Sequence, residues 1–323
     1  MMSFFIRAVS NPIMLSIVFI ASVSSAVVHA QTYPARPLTI LVGTVAGGTN
    51  DIMARVLAEH MRRKWGQAVL VDNRPGAGGA IAAALLAKAA PDGHTLEVGP
   101  ANTQAFFVKD AGFDAADLTA AAVLARAPYM LLVGKRLKIE NLKEFVAFAK
   151  ANPGKLNIGA VSGGTHEVTS REVLYQLGIN AALIGYKGIA PVNAAMAAGE
   201  IDMVMGASAA PVKSGVSSAL AVGGDRRFSE VPQTPTFREL GYDTYSPAVN
   251  FFLWARTGTP LAVLRALAAE STDVVKSAEF VKLVEQGLGI PSVGSTHEQA
   301  MEVARQEFES TRLGVERAGI KPQ

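Results

Sequence analysis

Cysteine is absent from all 323 residues. That excludes disulfides, thiol catalysis and cysteine–metal sites. Charged residues make up only 18% of the chain, the formal net charge is +3, and no long basic run occurs. The densest cationic cluster, Arg62-Arg63-Lys64, closes a helical pattern just before Trp65-Gly66. Cations in that place offset the helix dipole, so no nucleic-acid partner is expected. Enzyme signatures are equally scarce. No G-x-x-x-x-G-K-[ST] loop or G-x-G-x-x-G turn is present, and Gly206-Ala207-Ser208-Ala209 lacks the second glycine of a nucleophile elbow. His166-Glu167 and His297-Glu298 have no second histidine four residues on, so neither forms a zinc helix. No catalytic residue, metal ligand or cofactor is therefore assigned.

What is present first is an export signal. Arg7 is the only charge in a short leading segment, Ile13 to Val28 is apolar, and Val28-His29-Ala30 offers a signal-peptidase pattern. The apolar stretch is shorter than the roughly 20 residues a spanning helix needs. Residues 1–30 are read as a signal peptide, Gln31 as the new N-terminus, and the mature chain as soluble and periplasmic.

The mature chain, half of it hydrophobic and long enough for two domains, repeats one local grammar. A short apolar strand runs into a glycine loop, then a helix, then a glycine or proline stop. Leu38 to Val42 precedes Gly43-Thr44-Val45-Ala46-Gly47-Gly48 and a helix carrying Met53, Val56, Leu57 and Met61 on one side. Leu96 to Gly99 and Tyr129 to Val133 are strand-like, and Leu142 to Lys150 is a helix stopped by Asn152-Pro153-Gly154. Leu156 to Gly159 leads through Ser162-Gly163-Gly164-Thr165 into another helix. Leu183-Ile184 leads through Gly188 to a helix that Gly199 closes. Val249 to Ala255 is a late strand, and a last helix is expected from Ser295, with Glu298 completing a capping box and His297 solvated. Such alternation specifies parallel sheets covered by helices.

A glycine loop at a helix start leaves backbone N–H groups free, and with the helix dipole these attract an anion. In parallel sheets the loops gather at the carboxyl ends of the strands, where ligands bind. The N–H groups of Gly47 and Gly48 are the first candidates, with hydroxyls from Thr44 and Thr165. A carboxylate repels an anion, so Asp51 reads as a stabiliser of the helix start. Lys187 reads equally as a charge partner or an exposed lysine.

Several motifs then occur in one order. They are Tyr33-Pro34-x-Arg36-Pro37, Gly47-Gly48-x-x-Asp51-x-x-Ala54-Arg55, Asn73-Arg74-Pro75-Gly76-Ala77-Gly78-Gly79, Pro91-Asp92-Gly93, Asn152-Pro153-Gly154-Lys155-Leu156, Tyr186-Lys187-Gly188-x-Ala190-Pro191, Gly199-x-x-Asp202 and Trp254-Ala255-x-x-Gly258-Thr259-Pro260. By this ordered set the whole mature chain resembles the Bug, or TctC-like, family of tripartite tricarboxylate transporter substrate-binding proteins. The sequence departs from the family where Gly43 and Thr44 replace a usual proline and aromatic, where Val168 replaces a frequent histidine, and in a short segment after Ala105.

The resemblance implies an α/β fold of the two-lobed periplasmic binding protein type (Venus flytrap, type II-like), each lobe a mainly parallel sheet flanked by helices. Residues 31–124 with 248–323 would form the first lobe and 125–247 the second. It implies a monomer that captures a small carboxylate without catalysis and hands it to a membrane transporter complex or a sensor kinase. One jaw of the site would be Thr44, Val45, Ala46, Gly47, Gly48 and Asn50, with Asn102 and Thr103 beside it. The other would be Gly164, Thr165, His166, Gly188, Ile189, Ala190, Pro191 and Ser208. The alternative is a secreted α/β hydrolase-like enzyme using the same cleft.

Overall fold

The computed structural model describes residues 33–317 except 107, 109, 163–164, 225 and 243–246. The expected signal segment lies outside the described residues. The chain first lays down β1 (Leu38–Val42), α1 (Thr49–Trp65), β2 (Val69–Asn73), α2 (Ala80–Ala87), β3 (Thr95–Gly99) and β4 (Leu118–Pro128). It continues through β5 (Met130–Gly134), α3 (Leu142–Ala151), β6 (Asn157–Val161), α4 (Thr165–Leu177) and β7 (Ala182–Tyr186). Then come α5 (Ile189–Ala198), β8 (Met203–Gly206), α6 (Ala210–Lys213) and β9 (Ser217–Val222). It returns with β10 (Ala248–Arg256) and α7 (Leu261–Val275). A helical turn Ala278–Phe280 runs into a π-helical stretch Val281–Gln286, and α8 (His297–Arg317) ends the described chain.

These strands form two five-stranded sheets, ordered β2-β1-β3-β10-β4 and β7-β6-β8-β5-β9. In each, four strands run one way and one opposes them, β10 in the first and β5 in the second. The mainly parallel, two-lobed α/β architecture expected from the sequence is what forms. In both sheets the opposed strand is the one by which the chain enters after crossing from the other lobe.

The boundary expected at 124–125 falls inside β4. Ala127 and Pro128 still pair with Val249 and Ala248 of β10, so the ladder carries the chain on to Tyr129 before it changes sheet. There the two crossings are tied together. Tyr129 N–H donates to the Pro247 carbonyl at 3.0 Å, and Gly223 N–H donates to the Tyr129 carbonyl at 2.7 Å. A Cβ at Gly223 would stand 1.8 Å from the Pro247 oxygen, so only glycine permits this approach.

Each sheet has its own core. In the first lobe Leu41, Leu86, Phe252 and Trp254 pack with Ala82 and Ala83 of α2 and Ala300 and Ala304 of α8. The alanines let both helices lie close to the sheet. In the second, Met130, Leu132, Val192, Met196, Ile201 and Phe228 meet. Burying a side chain of this size stabilises the fold by about 1.5–3 kcal/mol. The free edge of β4 is covered by the segment around Pro291–Val293, which bonds to Arg126 and Leu124.

The start of α8 differs from expectation. The capping box is Thr296 with Gln299: Gln299 N–H donates to Thr296 Oγ1 at 3.2 Å, and Thr296 N–H to Gln299 Oε1 at 3.0 Å. Ser295 Oγ instead accepts from Val123 N–H at 2.9 Å, and Glu298 pairs with Arg265. Both registers satisfy the motif, and docking onto β4 selects the later one. His297 is likewise not simply solvated: its Nδ1 sits 2.8 Å from the Ala120 carbonyl.

Candidate functional site

The loop from Gly43 to Gly48 leaves β1 pressed against its neighbour. A Cβ at Gly43 would come within 2.7 Å of Gly79 Cα, so the departure from proline is matched by a close backbone approach. The loop is organised by Asp51. This carboxylate, 2% exposed, accepts from Gly47 N–H at 2.8 Å, Arg55 Nε at 2.9 Å and Asn73 Nδ2 at 3.0 Å. Asn73 Nδ2 also donates to the Thr44 carbonyl at 3.1 Å. Burial pulls the Asp51 pKa upward, but the bonds from Arg55, Gly47 and Asn73 together hold it below the ordinary value.

Asp51 therefore does more than steady a helix start; it latches loop, helix and β2 together. Gly48 N–H donates to the Val45 carbonyl at 3.3 Å, so the N–H groups of both Gly47 and Gly48 are engaged inside the loop. Gly48 serves as the N-cap of α1 with extended backbone, and no side chain caps the helix. The free donors expected at such an end are those of the first helical turn, including Asn50. Val45, Ala46 and Gly47 are exposed, whereas Asn50 is buried.

At the carboxyl end of β3, Asn102 and Thr103 are buried. Asn102 Nδ2 donates to Glu97 Oε2 at 3.1 Å, and Glu97 itself is 2% exposed. Burial pushes the Glu97 pKa up to about 8, with the Asn102 bond pulling the other way. Thr103 Oγ1 lies 3.0 Å from Thr165 Oγ1 at the start of α4, a direct hydrogen bond between the lobes.

On the second lobe Gly164 lies outside the described residues. His166 faces inward: its Nδ1 accepts from Val161 N–H at 3.2 Å, and its ring meets the edge of Tyr129 at 5.9 Å. Burial lowers its pKa to about 4, the Met205 backbone offsetting part of the shift, so the ring is neutral. Gly188 is the N-cap of α5 at φ +153°, again without a side-chain cap, and Ile189, Ala190 and Pro191 are exposed. Ser208 Oγ accepts from Ala210 N–H at 3.3 Å. Among the described residues no hydrogen bond joins Gly188 to Pro191 or Ser208 to the first lobe. Lys187 is exposed.

Val168, where the family's histidine is frequent, serves a different contact. It clusters with Val315 of α8, with Phe106 and Val108 packed against them, and a Cβ at Gly314 would stand 3.1 Å from Val168 Cγ1. The lobes thus meet through an apolar patch as well as through the threonine pair. A cavity of about 510 Å³ lies under α8 between Leu118, Trp254, Met301 and Phe308. Among the described residues no group of three or more His, Asp or Glu is placed to hold a metal ion.

The sequence reading missed Glu97, although a lone acid inside the apolar run Leu96-Glu97-Val98 was visible. It also missed the Asp51–Asn73 link, which joins residues from two of the quoted motifs.

Helices α1, α4 and α5 each begin just past the carboxyl end of a strand, one in the first lobe and two in the second, and neither α1 nor α5 is capped by a side chain. With two sheets joined by two tied crossings, this is the architecture of a two-lobed periplasmic binding protein. Similarity to known proteins makes the class specific. Residues 53–319 match the family described as tripartite tricarboxylate transporter family receptor, TctC, and the chain belongs to it. It is 30% identical over 316 residues to a UPF0065 protein of Bordetella pertussis, covering 95% of this chain and 97% of that one. Protein BugT of the same organism is 32% identical, with 82% and 84% covered. Among solved structures, the periplasmic binding protein BugD superposes with a TM-score of 0.77 at 26% identity, over 90% of this chain and 100% of BugD. R. palustris Rpa4515 with adipate gives 0.79 at 29% over the same shares, and MatC of Rhodopseudomonas palustris with bound malate gives 0.75 at 25% over 88% and 100%.

Proposed function

We propose that this protein is an exported, periplasmic solute receptor that closes its two lobes on a small organic carboxylate and releases it unchanged. The observation that carries the reading is the pair of helix N-termini without side-chain caps, one in each lobe and each just past the carboxyl end of a strand, in lobes that are bridged by Thr103 and Thr165. Such ends supply N–H donors and a favourable dipole to an anion without a buried cation. Related structures hold adipate and malate, both small organic carboxylates. Asn50, Asn102 and Thr165 would orient the ligand, and Gly188 to Pro191 would come down on it as the second jaw. The lobes would be residues 31–128 with 248–323, and 129–247.

Membership of a transporter-receptor family supports a membrane transporter complex as the partner that takes the ligand; a sensor kinase would read the same closed form. The protein acts as a monomer. The test is a thermal-shift series with adipate, malate, succinate and citrate on purified mature protein. At 100 times its dissociation constant a ligand stabilises the fold by about 2.7 kcal/mol. The compound should be recovered intact and in a one-to-one ratio. Sustained turnover of a carboxylate or ester would replace this reading with an enzyme.

A further inference from the structure

Glu97 is the middle residue of β3, set between Leu96 and Val98, both fully buried. Its ladder partners are Leu41 on β1 and Trp254 on β10, neither of which titrates. Its carboxyl accepts from an uncharged amide, Asn102 Nδ2, and no charged group is coupled to it among the described residues. Asp51, the acid in the first turn of α1, is turned to Arg55, Gly47 and Asn73.

Position gives this acid a role. A carbon placed on Gly99 as a Cβ would stand 3.6 Å from Glu97 Oε1 and 3.9 Å from Asn50 Nδ2. A carboxyl group and the first turn of α1 therefore converge beside Gly99, at the carboxyl end of β3. Asn102, which holds Glu97, is the chain neighbour of Thr103, whose hydroxyl bridges to the second lobe. The acid thus lies beside the first turn of α1, where the ligand's carboxylate is proposed to be held.

A buried carboxyl without a cation carries a large desolvation cost when it ionises. An amide of the same shape would accept from Asn102 equally well and avoid that cost. What a carboxyl adds is the capacity to become an anion opposite a positive group. We propose that Glu97 is a specificity-determining residue that receives the ammonium group of an amino-bearing carboxylate, an amino acid, whose own carboxylate lies at the start of α1. This rests on the carboxylate-receptor reading and names its ligand class. Glu97 is held largely protonated before binding, its pKa raised to about 8 by burial. Formation of the carboxylate–ammonium pair sends that proton to solvent, with no other bond made or broken.

The test pairs each amino acid with its counterpart lacking the amino group: aspartate with succinate, glutamate with glutarate, alanine with propionate. Wild-type protein should bind at least one amino member more tightly than its partner. Glu97→Gln keeps the bond from Asn102 and should melt no lower than wild type without ligand. It should lose about tenfold or more in affinity for the amino compound, the scale of a charge-assisted bond, and change little toward the other. Calorimetry of wild type at pH 6.5 in buffers of different ionisation enthalpy should show close to one proton released per amino ligand, a readout that stands even if the variant fails to fold. Amino ligands bound equally well by Glu97→Gln, or bound with no proton release, overturn the proposal. Binding confined to succinate, glutarate or propionate overturns it too while leaving the receptor reading intact. Binding of no carboxylate in either set overturns both.

Discussion

The carbonyl of Tyr129 accepts a 2.7 Å hydrogen bond from the N–H of Gly223, so the outward and returning crossings between the lobes are joined at one point. Bending between the lobes must pass through this joint. Its closeness depends on Gly223, because a side chain there would overlap the Pro247 carbonyl. Gly223→Ala should therefore destabilise the protein by about 1–3 kcal/mol, the range for forcing extra volume into a packed site. Urea unfolding measures it, and unchanged stability would mean that the crossings separate freely.

Asp51 should prove structural and felt at the ligand site at once. Asp51→Asn keeps size but loses the charge opposite Arg55, and it turns one acceptor oxygen into a donor. Unfolding free energy should drop by about 1–3 kcal/mol. The native carboxylate is held below its ordinary value of 3.8, so its contribution is present above that value and lost as pH falls through the lower folded one. The variant should therefore lose less than wild type on acidification below pH 4. Equal acid sensitivity of the two would count against the latch.

His166 should govern a different pH window. Its folded pKa of about 4 lies below the ordinary 6.5, so between those values the unfolded chain takes up a proton that the folded chain refuses. Stability from this group falls as pH drops from 6.5 to 4, by up to about 1.4 kcal/mol per pH unit. Glu97 and Glu307, raised by burial to about 8 and about 7, act with the opposite sign over an overlapping range. The comparison is therefore between wild type and His166→Gln in urea at pH 7, 5.5 and 4.5. The difference between them should grow in favour of the variant as pH falls; a constant difference would show that the ring takes up its proton as readily in the folded protein as in the unfolded chain.

Local grammar made most of the fold legible. Leu142 to Lys150 and Gly199 were set by an Asn stop and a left-handed glycine cap, signals that lie within a few residues of one another. What resisted reading depends on contacts between distant segments. Thr296 outcompetes Ser295 as the cap because Ser295 is drawn to Val123, and β4 runs past the lobe boundary expected at 124–125 because β10 returns to pair with it. At the candidate site, glycine loops marked helix starts that do form, but which N–H groups stay free there was hidden. Asp51 reaches back four residues to occupy that of Gly47, and no spacing rule announces it.

The exported form should begin at Gln31. The apolar stretch Ile13 to Val28 followed by Val28-His29-Ala30 motivates this. Intact mass of the protein from a periplasmic fraction decides it, and retention of residues 1–30 would remove the export reading.

The sharpest test of the cradle is Gly48→Asp. Gly48 has φ −78° and ψ 170°, ordinary extended backbone, so a side chain there meets no conformational penalty of the kind Gly47 would impose at φ +80°. A Cβ would stand 3.3 Å from the Val45 carbonyl and 3.6 Å from Thr44 Oγ1, tight but tolerable with a small shift. Aspartate is also among the best N-cap residues, and α1 has no side-chain cap of its own. The substitution should leave the empty protein's melting temperature close to wild type. It also places a carboxylate on the very N–H groups proposed for the ligand, adding repulsion to competition. Affinity for the best carboxylate in the thermal-shift series should fall by about 100-fold or more, the loss of at least one charge-assisted bond together with a like charge. Thr165→Val is the companion: it keeps shape and removes only the hydroxyl bonded to Thr103, so about fivefold is expected from a net contribution near 1 kcal/mol. Should Gly48→Asp bind as tightly as wild type at an unchanged melting temperature, the start of α1 does not hold the anion. The carboxylate would then have to be held by the second lobe alone.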